Sequence, residues 1–501
     1  MTGRGISGRT FVRRENEHFF TKLTMLLLFF CLFFSPTLAA AKKIDPHPEK
    51  PRVLFVPHDN RPISDEQTAD TLRMMHWDIA VPPDELLGSR GVLGDPEAVW
   101  EWLEKEAPTA NIAVVSSDTL LYGSLVGSRK HTYTPAVIEA RLNKFRAFKA
   151  RHPHLHLYVF GSIMRTPRSA EASGGEEPGY YANYGGDIFR FTALSDKQET
   201  DGLTRREKKE YGFLQRLIPE AALEDWLARR NKNFRASEGL IALTREGIFD
   251  YLALGRDDNA PYSQTHMESR KLAALGEDLG PSRFQAMAGI DEFALMMLTR
   301  AVNDWTRTVP FVYVKYNWGR GGNTVPTYSD EKISDTIKAH VTATGALLVT
   351  SPKNADFVLC VNTNPNGKTY EANDRTNDIK PREGTKYFVD LVAESVAAGP
   401  TCVAGIAFAN GADNALMEAL KTRDLLFQLR AYSGWNTATN STGFVLCQGM
   451  LSSKMEPEAY DQLLLRRYLD DWVYQANVRG IVARQLGWFR ASGAYSSLDE
   501  R

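Results

Sequence analysis

Short apolar runs recur along this chain, each closing in a polar or acidic patch, with amphipathic stretches between them. The runs Val53–Val56, Ile79–Val81, Ile112–Val115, His156–Phe160, Phe249–Leu254, Phe284–Ala288 and Phe311–Tyr316 have strand length and are rich in β-branched and aromatic residues. Ser64–Met75, Pro96–Glu106 and Pro135–His152 read as helices. Asp95-Pro96 and Thr134-Pro135 supply two of the starts, a capping side chain followed by proline at the first helical position. Strand and helix alternating in this way predict βαβ units and a parallel sheet.

The alternation is interrupted between about residues 166 and 246. A Gly-, Glu- and Tyr-rich loop, Ser173–Asp187, leads there into helices rich in Arg, Lys and Leu, a pattern that reads as an ordered insertion or lid. From Phe311 a second α/β pattern begins: strands at Ala346–Val349, Phe357–Val361 and Cys402–Phe408, helices around Asp330–Thr344 and Thr385–Ala397, and a helical tail from Glu456 to Leu486. The expected organisation is an N-terminal α/β domain over 42–310, either barrel-like or an open parallel sheet, and a second Rossmann- or flavodoxin-like α/β domain over 311–501. No internal repeat is apparent.

Four strand-like runs empty into acids: Val53–Pro57 into His58-Asp59-Asn60-Arg61, Ile112–Val115 into Ser116-Ser117-Asp118, Ile248–Leu254 into Asp257-Asp258-Asn259, and Ala286–Ile290 into Asp291-Glu292. Parallel α/β folds collect ligands at the carboxyl ends of their strands, so these tips are expected to share one pocket. Asp257, Asp258, Asp291 and Glu292 offer the carboxyl pair that glycoside hydrolysis needs, one protonated and one ionised. Asp59, Asn60, Arg61, Asp118, Tyr122, Arg165 and Asn259 are the candidates for positioning substrate, joined from the second domain by Asn410, Trp435 and Asn436. Each acid has a plainer alternative as a helix cap, and Trp435 as core.

Other chemistries find less support. The histidines lack zinc-ligand spacing, and Gly319-Arg320-Gly321-Gly322-Asn323 and Gly367-Lys368-Thr369 do not complete a phosphate-loop pattern. Neither a cofactor nor a dedicated metal site is expected. With 60 basic and 61 acidic side chains, nucleic acid has no electrostatic claim as a partner, and a small-molecule or glycan substrate fits better. Four arginines followed by an apolar stretch from Leu23 to Phe34 and an Ala-rich site predict a signal peptide over 1–41. The expected product is secreted or periplasmic, with no stable membrane insertion once the signal is removed. Cys360, Cys402 and Cys447 then remain, too few and too scattered for a disulfide framework.

Taken as a set, several stretches resemble the bacterial family of domain of unknown function 4127 (DUF4127). They are Val56-Pro57-His58-Asp59-Asn60-Arg61-Pro62, Ser117-Asp118 with Tyr122-Gly123, Ile163-Met164-Arg165, Glu176-Glu177-Pro178 with Tyr180-Tyr181, Asp257 to Tyr262, Asp291-Glu292 and Gly434-Trp435-Asn436-Thr437. The resemblance implies a member over its whole length from about Pro51 and implies no reaction. The residues themselves lead to a secreted carbohydrate-active hydrolase. Two alternatives are a divalent-metal hydrolase or lyase using the same carboxylates, and a non-catalytic two-domain solute-binding protein.

Overall fold

In the computed structural model, the described residues are 50–89, 91–169, 174–257 and 259–485. The expected signal segment, and Asp258 among the expected catalytic acids, lie outside them. Six parallel strands build the first sheet: β1 (Arg52–Val56), β2 (Asp78–Ala80), β3 (Ile112–Ser116), β4 (His156–Ile163), β5 (Tyr251–Arg256) and β6 (Phe284–Ala288). They lie in the order β2-β1-β3-β4-β5-β6. Among the described residues this sheet is open, so the open-sheet form of the expectation holds and the barrel-like form does not.

The second half contributes β7 (Phe311–Tyr316), β8 (Leu347–Leu348), β9 (Phe357–Asn362), β10 (Tyr370–Glu371), β11 (Thr401–Gly405), β12 (Phe408–Ala409) and β13 (Ala431–Ser433). Five of these form a parallel sheet in the order β13-β11-β9-β7-β8, while β10 and β12 pair separately. Counted from β7, the five-stranded sheet repeats the order of the first sheet: second strand, first, third, fourth, fifth. This is the flavodoxin-like winding, whose ligand crevice opens where the chain reverses direction across the sheet, between the first strand and the third.

Strand burial explains the continuous apolar runs. All of Val53 to Val56 and Ile112 to Ser116 are buried, as expected of strands covered by helices on both faces. Between the sheets lie helix Phe293–Thr306, packed on β3 and β4, and helix Ala438–Ser452, packed on β11 and β13, in contact with each other. Every residue of Ala438–Ser452 is buried. A helix surrounded on all sides needs small residues where its neighbours press closest, and Gly443 and Gly449 meet Glu292 and Phe357 there.

The interruption between β4 and β5 is helical: Tyr181–Thr200, Arg205–Leu217 and Glu220–Arg245. Tyr181, Ile188, Leu194, Leu214 and Trp226 give it an apolar cluster of its own. The tail runs through helix Pro457–Arg467 and a π-helical stretch, Tyr468–Val478, to Arg479–Gln485. It is tied to helix Glu66–Arg73, the first among the described residues, because Arg466 donates to Asp70 at 3.1 Å and Arg467 to Gln67. No helix among the described residues is long and apolar enough to cross a membrane.

Candidate active site

The acidic tips after β1, β3 and β6 gather at the carboxyl rim of the first sheet, at the crevice its winding defines between β1 and β3. Arg61 is the hub. Its Nε donates to Asp59 Oδ2 at 2.8 Å and its terminal nitrogen to Asp291 Oδ1 at 2.7 Å, and that same nitrogen lies 3.0 Å from His58 Nε2. Ser64 Oγ also reaches Nε2 at 3.0 Å. His58 Nδ1 is buried and has no hydrogen-bond partner among the described residues.

Asp291 reaches this hub because the helix it precedes lies across β3 and β4, which carries the tip of an edge strand back toward β1. The second half of the chain closes over it: Asn436 Nδ2 donates to Asp291 Oδ2 at 2.9 Å and Asn440 Nδ2 at 3.2 Å. Burial alone would raise the Asp291 carboxyl. The Arg61 guanidinium, supported by His58, overrides burial and holds Asp291 far below the usual carboxylate range.

Asp118 has the opposite environment. It is buried in the first turn after β3, where Oδ2 accepts the Ser162 N–H at 2.8 Å and Oδ1 the Ser162 hydroxyl at 3.0 Å. Burial pushes it up to about 7, against the opposing pull of His58, the Ser162 bonds and Arg129. Two carboxyl groups of one rim are thus driven apart in acidity by their surroundings. Tyr122, buried one turn further on, stacks on His131 at 4.6 Å, so it serves the wall rather than the opening.

A second charged layer stands beside the hub. Arg165 Nε donates to Glu177 Oε1 at 2.7 Å, and Arg129 donates to Glu176 Oε2 at 2.7 Å while lying 3.8 Å from Asp257. Glu176 and Glu177 come from the loop that opens the helical interruption, so that loop forms part of the rim. Asn60 is half-buried, its backbone N–H on the Gly88 carbonyl at 3.0 Å.

Glu292 is placed differently from its sequence neighbour. It is fully buried, with Oε2 on the Ile290 N–H at 3.1 Å, Oε1 without a hydrogen-bond partner, and His340 Nε2 3.4 Å away. Burial pushes its carboxyl well above the usual range and pulls His340 down to about 4, so burial favours the neutral form of each. Glu292 is thus wedged beneath the rim against Gly443 of the covering helix.

Three further residues sit at the edges. Asn259 donates to Asp330 and accepts from Ser263 Oγ at 2.7 Å, on the flank where Arg256 also meets Asp330. Asn410 donates to Glu371 Oε2 at 2.9 Å, and its backbone N–H to the Asn436 carbonyl at 2.7 Å. Both Asn410 and Asn436 hold left-handed backbone conformations, φ 61° and 57°, which asparagine tolerates better than most residues. Trp435 packs edge-on to Phe444 at 6.1 Å and lies against the core, the plainer of its two readings.

Sequence reasoning passed over Arg129, Ser162, Ser64 and His340. Only Arg129 carried a signal, as an arginine inside an otherwise apolar helix, Leu125–Lys130. Among the described residues no group of three or more His, Cys, Asp or Glu side chains is arranged to hold a metal ion.

The fold and site define a doubly wound α/β protein with paired parallel sheets and an acid- and arginine-rich rim at the crevice of the first. The family model described as a protein of unknown function, DUF4127, matches residues 53–500, so the chain belongs to that family. No curated protein and no solved structure matches it.

Proposed function

We propose that this chain is an exported hydrolase acting on glycosidic bonds, with its centre at the rim formed by His58, Asp59, Arg61, Asp118 and Asp291. One observation carries the reading: Asp118 is held up to about 7 while Asp291, on the same rim, is held far below the carboxylate range. Opposed acidities assign roles. A carboxyl that keeps its proton near neutrality can protonate a leaving oxygen, and a permanently ionised one can stabilise positive charge developing on a sugar ring. Asp59 and Asp257 are further acids at the opening, and Arg61, Arg129, Asn60 and Asn436 supply donors for hydroxyl groups. Glu292, packed beneath the rim against Gly443 and 3.4 Å from His340, is assigned no step under this proposal.

The test is incubation of the purified chain with a library of glycans and peptidoglycan fragments, read by mass spectrometry. Cleavage is expected from the native chain, with a loss of about 10²–10⁴-fold in Asp118→Asn, the range of a single general acid. Intact glycan bound without product would move the assignment to a solute-binding protein. Cleavage undiminished in both Asp118→Asn and Asp291→Asn would refute the roles given to these residues.

A further inference from the structure

At the opposite end of the second sheet from its carboxyl rim, a groove of about 610 Å³ runs along the amino ends of β7, β9, β11 and β13. Its size falls within the range of small-ligand pockets, roughly 300–1,000 Å³. Val309, Pro310, Phe311, Met450 and Met455 make much of its wall apolar. Val309 and Phe311 remain exposed within it, at 51% and 39%, although they flank the start of a central strand.

Lys454 and Arg430 face this wall, with Asp356 also lining the groove. Lys454 is half-buried, and the nearest hydrogen-bond partner of its ammonium is the Thr308 hydroxyl, at a long 3.4 Å. Arg430 lies over the Tyr460 ring at 4.5 Å. Among the described residues no carboxylate is in ion-pair range of either. Asp356 is the acid that acts on Lys454, and it has an oxygen committed to the Phe311 N–H at 2.7 Å. Burial pulls the Lys454 ammonium down and Asp356 only partly offsets it. A half-buried cation beside open apolar surface is relieved by a ligand that brings a negative group and an apolar body together.

We infer that this groove binds a small carboxylate-headed amphiphile, its head between Lys454 and Arg430 and its apolar body along Val309, Phe311 and Met455. The site is separate from the carboxyl rim of the first sheet, so it stands whether or not the proposed hydrolase reading does.

Calorimetric titration of the whole chain with octanoate tests it, with octan-1-ol and octylamine as controls of matched body. Saturable one-to-one octanoate binding is expected, at least tenfold tighter than octanol, with no octylamine binding. Lys454→Met and Arg430→Met should each weaken octanoate about tenfold. Val309→Glu, at an exposed wall position where folding is not at stake, should abolish binding by placing a carboxylate beside the cations. Absence of octanoate binding to the native chain, equal affinity for octanol, or full affinity in Val309→Glu would each overturn the inference.

Discussion

Replacing Asp118 by Asn tests the electrostatics of the rim without presupposing any reaction. The amide has the shape of the carboxyl and can keep both contacts: its oxygen accepts the Ser162 N–H, and its nitrogen donates to the Ser162 hydroxyl. That hydroxyl lies 3.4 Å from Ser128 Oγ and so has somewhere to send its own proton. What the substitution removes is the ionisation. In the folded chain Asp118 keeps its proton up to about pH 7, whereas its ordinary value is 3.8. A carboxyl raised by folding contributes stability that is fully present below its unfolded value and is lost as pH climbs through the folded one. About three pKa units at about 1.4 kcal/mol each set a ceiling of about 4 kcal/mol. Water entry and relaxation around the buried charge make a loss of about 2–4 kcal/mol the working expectation. Because Asn lacks this loss, Asp118→Asn should match the native chain near pH 4 and exceed its stability by that amount at pH 8. Urea unfolding of both proteins at pH 4, 6 and 8 measures the difference, and titrations elsewhere in the chain cancel between them. A difference that stays constant with pH, or a variant less stable than the native chain at pH 8, would refute the placement of a neutral Asp118 under this rim.

Three further outcomes follow from the same packing. Glu292→Gln should change stability by less than about 1 kcal/mol in urea unfolding, since burial already favours the uncharged side chain, whereas Glu292→Ala should cost about 2–4 kcal/mol for the cavity beneath the covering helix. Gly443→Ala places its new carbon 2.4 Å from Glu292 Cγ; although alanine favours helix, the variant should lose about 1–3 kcal/mol by thermal or urea unfolding. Arg61→Met should cost about 1–2 kcal/mol at pH 7, discounted because 39% of the arginine side chain is exposed. That cost should shrink as pH falls below about 4, because a carboxylate depressed by folding gives stability that is present above its unfolded value and lost in acid. An Arg61→Met penalty that grew in acid would rule out the arginine as the group holding Asp291 ionised.

Much of the architecture is legible in the chain because a parallel strand covered on both faces must be apolar throughout. Val53–Val56, Ile112–Val115 and Phe357–Val361 therefore stand out as continuous apolar runs. The strand β13, only Ala431–Ser433, escapes such reading: three residues are too few to distinguish from the start of a buried helix. The recurrence of one strand order in both sheets escapes it too, because winding is a relation between non-adjacent strands and leaves no trace in residue type.

The chain by itself determines which tips are acidic, that they follow strands, and that Arg61 stands among them. Only the tertiary structure decides that Asp291 is held ionised, Asp118 pushed up to about 7 and Glu292 sealed away, three carboxyl groups that look alike as letters. The physical reason is that acidity depends on burial and on charges a few ångströms off. Arg61 lies 230 positions from Asp291 and Asn436 lies 145 from it, so the groups that set its behaviour become its neighbours only after folding.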